Sequence, residues 1–127
     1  MNFAYSIVVL SVAIAFPAKA EESKKLKDLG ARIFKTNGVV SEINLNRSKI
    51  TDAELKILVT FKKLTDLSLE QTKITDEGLF HLANLTRLEW LNLFQTNVGD
   101  EGMAHLSKLR SLQYLPIGKT RLTDTGL

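Results

Sequence analysis

From residue 40 onward the apolar positions of this chain follow two alternating periods. Leu67-x-Leu69 alternates with period two, as a short strand with one buried face does. Leu79, Leu82 and Leu85 then recur at every third residue, as one face of a helical or 3₁₀ turn does. Thr75-Asp76 stands between the two patterns. Both residue types favour helix N-caps, and the acidic group suits the positive end of a helix. Each unit is therefore predicted to run strand, corner, short helix, corner.

Shifted by 24 residues, the sequence overlays itself. Ile50-Thr51-Asp52, Ile74-Thr75-Asp76, Val98-Gly99-Asp100 and Leu122-Thr123-Asp124 coincide, and so do Ile43-Asn44-Leu45, Leu67-Ser68-Leu69, Leu91-Asn92-Leu93 and Leu115-Pro116-Ile117. No insertion breaks the register from residue 40 to residue 127. A single unit cannot bury its leucines, so the units must stack, with their strands side by side in a short parallel sheet. Ser48, Thr72, Thr96 and Thr120 place a hydroxyl at each corner, where backbone groups need partners.

Both ends depart from this pattern. Residues 21–39 read as a degenerate first unit: Leu26, Asp28, Ala31 and Phe34 fall on the register, while Leu26, Leu29 and Ile33 have helical spacing. They predict an amphipathic capping helix over the first strand, with Asn37-Gly38 turning the chain into the strand around Ile43. Upstream, residues 3–16 form an uncharged apolar run, shorter than the roughly 20 residues that span a bilayer. Pro17 breaks it, and Ala18-Lys19-Ala20 presents small residues where a signal peptidase reads. Residues 1–20 are therefore expected to be a cleavable export signal, giving a periplasmic, cell-surface or secreted protein. An uncleaved membrane anchor is the competing reading, since no Lys or Arg precedes the run. At the other end the last motif stops at Gly126-Leu127 with its helix incomplete. A fragment of a longer repeat protein, a frayed end and an edge used for self-association all remain open there.

The segments Thr72-Lys73-Ile74-Thr75-Asp76-Glu77-Gly78-Leu79 and Thr120-Arg121-Leu122-Thr123-Asp124-Thr125-Gly126-Leu127, with the Leu-x-x-Leu-x-Leu signature before them, resemble the leucine-rich-repeat superfamily. They look most like its cysteine-containing-like type, in a Thr variant similar to exported repeat proteins of planctomycete-type bacteria. The resemblance spans about residues 26–127 and implies an α/β fold. It would be a leucine-rich-repeat solenoid, a right-handed β-α superhelix of 24-residue units with the parallel sheet on its concave face. It also implies binding through that face.

Composition narrows the chemistry. Cysteine is absent, which excludes disulfides, thiol catalysis and thiolate zinc sites. The net charge is +3, but Lys and Asp/Glu are interspersed, so no basic block marks a nucleic-acid surface. His81 and His105 lie 24 apart and would stack on adjacent helices; two repeated surface residues explain them better than a metal site, which wants three or four ligands. Every Ser and His has a repeat explanation, so neither a catalytic set nor a cofactor is expected.

The strand residues that alternate with the core leucines should face outward. Trp90, Asn92, Phe94 and Tyr114, beside the acidic Asp66 and Glu70, form the candidate ligand-binding face. Exposed aromatics are typical anchors of interfaces, although a lateral ladder that merely covers the sheet has the same signature. The chain is thus expected to be an exported binding module for a protein or peptide, and not an enzyme. A structural surface element is the alternative, and a substrate-recognition arm of a ubiquitin ligase a remoter one.

Overall fold

The computed structural model describes residues 20–126. The expected export signal of residues 1–20 lies, apart from Ala20, outside them. Helix α1 covers residues 20–28, and strands β1 (Arg32–Thr36) and β2 (Val39–Asn44) follow. Helix α2 (Asp52–Leu55) runs into a 3₁₀ turn (Lys56–Thr60). Then come β3 (Asp66–Ser68), α3 (Asp76–Leu82), β4 (Trp90–Asn92) and α4 (Asp100–His105). No helix among the described residues is long and apolar enough to cross a membrane.

The fold is mixed α/β, with one four-stranded sheet in the order β1-β2-β3-β4. Strands β2, β3 and β4 pair in parallel, with Ile43, Leu67 and Leu91 in register. Trp90 bridges onward to Tyr114, which extends the sheet by one more rung. Partners across each parallel step are 24 residues apart, so identical unit positions stack on one another. The apolar residues predicted to face inward do so: Leu64, Leu67, Leu69, Ile74, Leu79, Leu82 and Leu85 are fully buried. A fully buried leucine contributes roughly 1.5–3 kcal/mol, the term that offsets the entropy of ordering each unit.

The expected helix over the first unit is corrected. Among the described residues the helix runs no further than residue 28, and the sheet is not wholly parallel, because β1 pairs antiparallel with β2. Gly30 is the cause. It takes a left-handed φ of 107°, its N–H donates to the Lys27 carbonyl, and the Ala31 N–H donates to the Leu26 carbonyl. That pair of bonds is a Schellman stop, which glycine permits without strain. Asn37 and Gly38 both have positive φ, the signature of a tight hairpin turn, and a hairpin turn needs a strand on each side. Leu26 and Ala31 still enter the core as the register required, but Phe34 lies on a strand and is 47% exposed.

The corner hydroxyls act as expected. Thr72, Thr96 and Thr120 donate to the carbonyls of Leu69, Leu93 and Ile117 at 2.7, 2.8 and 2.7 Å. Ser48 differs, accepting from the Ile50 N–H at 3.4 Å.

The Thr-Asp motif works differently from a plain cap. No side-chain cap bond closes on Thr75 or Gly99. Each aspartate reaches into the following unit instead. Asp52 accepts the Thr75 N–H at 2.8 Å and its hydroxyl at 2.5 Å. Asp76 takes the Gly99 N–H at 2.5 Å, and Asp100 takes the Thr123 N–H at 2.9 Å together with its hydroxyl. These hydrogen bonds hold Asp100 below the usual aspartate range, the Thr123 hydroxyl contributing most. The clasp needs a glycine to approach: a Cβ on Gly78 would lie 2.3 Å from the Asp52 carboxylate, and one on Gly102 2.5 Å from that of Asp76. The equivalent residue in the first of these helices is Glu54. Its carboxylate instead turns back to the Thr51 N–H at 2.9 Å, and its pKa is lowered mainly by the bond from the Thr51 hydroxyl.

Candidate functional site

The sheet has one face on the core and one turned away from it, and the second carries the candidate residues. Direct partners in a sheet share a face, so strand pairing sorts them into rows. The first row runs Phe34, Glu42, Asp66, Trp90, Tyr114. The central row holds Arg32, Asn44, Ser68 and Asn92. The third follows two residues further along each strand, with Asn46, Glu70 and Phe94.

The central row is structural. Ser68 is 3% and Asn92 7% exposed, and their side chains bond to Asn46 and Glu70 of the third row. Asn92 Oδ1 accepts the Phe94 N–H at 3.0 Å, and its Nδ2 donates to Glu70 Oε2 at 3.0 Å. Asn44 accepts the Asn46 N–H in the same way at 3.1 Å. Asn92 was expected to meet a ligand; its amide is instead occupied in setting the bend after β4 and in orienting Glu70. The alternation of the strand correctly turns it away from the leucines, but alternation says nothing about how closely neighbouring side chains cover it.

The third row is likewise tied inward. Asn46 Oδ1 accepts from the Glu70 N–H at 2.9 Å and from the Ser68 hydroxyl at 2.5 Å. Phe94 is half-buried. Its ring covers Gly118, where an added Cβ would sit 2.9 Å from it, and the Lys119 ammonium stands 5.7 Å from the ring centroid. Phe94 thus behaves as the covering ladder weighed above, with its own cation already on the ring.

The first row is the open one. Tyr114 is 63% exposed, Glu42 is exposed, and Asp66 and Trp90 are half-buried. Thr65 donates its hydroxyl to Asp66 Oδ2 at 2.6 Å and holds the carboxylate in place. Of the six expected residues, the structure joins Asp66, Trp90 and Tyr114 in one row and sets Glu70, Asn92 and Phe94 apart. Phe34 was missed, because the sequence reading placed it on a helix. The signal that could have found it was Asn37-Gly38, which implies a strand through Phe34.

A second feature was also missed. Arg47, Gln71, Gln95 and Lys119, at one position of four successive units, all take left-handed φ values of 54–57°. None is β-branched, the class that this conformation penalises most. The N–H groups of Arg47, Gln71 and Gln95 still donate to the next unit, at 2.8, 3.0 and 2.9 Å. Their side chains link in turn, Arg47 Nε to Gln71 at 2.5 Å and Gln71 Nε2 to Gln95 at 2.8 Å. This polar ladder borders the face at the strand ends.

On the helix side, Phe80 is 62% exposed between His81 and His105, with ring centroids 5.8 and 5.7 Å away, both edge-on. Among the described residues no group of three or more His, Asp or Glu gathers as metal ligands do.

Residues 62–83 match the family model described as Leucine Rich repeat. They comprise β3, the Thr72 corner and the whole of α3 with their buried leucines. No match to a curated protein was found.

Proposed function

We propose that this chain is an exported leucine-rich-repeat binding module that recognises a protein or peptide through the open face of its sheet, a reading supported by the match of residues 62–83 to the leucine-rich-repeat model. Leucine-rich-repeat domains are in general protein-interaction modules. On this reading the units form a solenoid of 24-residue repeats, α1 and β1 cap its first rung, the open face is concave, and the chain binds without catalysing a reaction.

The observation that carries the proposal is the exposure of Tyr114, 63%, beside Trp90 on a row whose members in β3 and β4 are each followed by a fully buried leucine, Leu67 and Leu91. An aromatic ring left wet on a rigid sheet gains from being covered, and such residues dominate many interfaces. Rigidity matters equally. The row is fixed by strand pairing, so little ordering entropy is lost on binding.

A photo-crosslinking residue substituted at Tyr114 tests the reading, with the same substitution at Phe80 as the helix-side comparison. In the native envelope, crosslinks to a discrete protein should form from position 114 and should vanish when Trp90 is also replaced by Ser. Crosslinks from position 80 alone would move the binding surface to the helix side.

A further inference from the structure

We propose that the first row of the open face is a receptor for an extended basic segment of a partner chain, with an arginine or lysine side chain seated on Glu42 and Asp66. The inference rests on the binding reading above and adds to it the chemistry of the ligand.

The row places two carboxylates between aromatic side chains. Phe34 pairs with Glu42, Glu42 with Asp66, Asp66 with Trp90, and Trp90 bridges to Tyr114. Neighbouring strands are about 4.8 Å apart, so the row extends about 19 Å. Phe34, Glu42 and Tyr114 are exposed and Asp66 and Trp90 half-buried, so one ligand can reach all of them. A cation satisfies both halves of this composition. It forms charge-assisted hydrogen bonds with the carboxylates and is attracted to the faces of the rings. An apolar ligand would have to strip water from two carboxylates with no compensating charge, and an acidic one would be repelled.

Two cations among the described residues border this strip. Arg32 stands opposite Asn44 in the central row, and Lys119 is engaged over Phe94 beside the third row. Both repel a second cation, so a basic side chain is steered to the first row. Two carboxylates carried on neighbouring strands, whose backbones run about 4.8 Å apart, suit a forked guanidinium better than a point charge.

Length argues for a peptide over a small cation. An extended chain laid across the strands spaces its alternate side chains about 6.8 Å apart. With arginine at the carboxylates, the side chains two positions to either side arrive near Phe34 and near Trp90. The preferred segment is therefore apolar-x-Arg-x-apolar.

The test uses the full chain and three fluorescent peptides that share a Thr-Leu-Thr-X-Thr-Leu-Thr frame, with X as Arg, Glu or Leu. The Arg peptide should bind at least tenfold more tightly than the other two at low ionic strength, and the preference should shrink as salt is raised. Glu42→Gln with Asp66→Asn should remove the preference without changing the denaturation midpoint, since Asp66→Asn keeps an oxygen for the Thr65 hydroxyl. Glu42→Lys with Asp66→Lys should transfer the preference to the Glu peptide. Equal binding of all three peptides, or of none, overturns the inference, as does an Arg preference that survives Glu42→Gln with Asp66→Asn. Crosslinking from position 114 would stand in each of those cases, so the loss of the basic ligand and the loss of the binding face remain separate results.

Discussion

Gly78→Ala is the most revealing single perturbation, because two physical arguments assign it opposite signs. Gly78 lies in α3, where alanine is favoured over glycine by about 1 kcal/mol. Against that, the new Cβ would stand 2.3 Å from the Asp52 carboxylate and 2.6 Å from the Leu55 side chain. Leu55 is fully buried and has little room to move, so overpacking there costs roughly 1–3 kcal/mol. Displacing Asp52 also breaks its bonds to the Thr75 N–H and hydroxyl. Because the site is half-exposed, that loss is held to about 1 kcal/mol. The sum is a destabilisation of about 2 kcal/mol, or roughly 10 °C in the melting midpoint of a domain this size. Thermal and urea unfolding of Gly78→Ala, Asp52→Ala and the double variant would measure it. In the Asp52→Ala background the carboxylate is gone, so the penalty for Gly78→Ala should fall by at least about 1 kcal/mol. A rise in stability on Gly78→Ala, or an equal cost in both backgrounds, would refute the clasp.

Three further outcomes are expected. Leu91→Ala, at the centre of β4, should cost roughly 2–5 kcal/mol in urea denaturation; a change under about 0.5 kcal/mol would contradict its burial. Asp100 has a depressed pKa in the folded state, so its link to Thr123 is fully present above the ordinary aspartate range. It is lost as pH falls through the lower folded value, and Asp100→Asn should flatten the fall in stability below about pH 4. A fall unchanged by that substitution would remove Asp100 from the account. Finally, N-terminal sequencing of exported protein should begin at Glu21; membrane-bound material with Met1 intact would favour the anchor.

The repeat was legible in the sequence because its physics is local and periodic. The positions at Leu67, Leu69, Ile74, Leu79, Leu82 and Leu85 are fully buried as their spacing required, and the corner hydroxyls of Thr72 and Thr96 bond as their chemistry suggested. The first unit was legible only in part. The helical spacing of Leu26, Leu29 and Ile33 competed with the stop at Gly30, and the stop prevailed because backbone φ is a harder constraint than an apolar period.

What the sequence by itself determined is the phase of the residues from 40 onward within their units, and hence which of those side chains face the leucine core. What only the tertiary structure decided is which of the remaining side chains meet. Strand pairing brought Phe34, from outside the regular repeat, beside Glu42 and put Asp66 next to Trp90. Asn92, bonded to Glu70, is buried while Tyr114 is open, although both alternate with core residues. The reach of Asp52, Asp76 and Asp100 across units likewise exists only once units are stacked, so a motif that reads as a helix cap acts as a clasp between repeats. Periodicity is a property of one strand or helix, whereas a binding row or a clasp is made of residues about 24 positions apart, and only their contact in space fixes it.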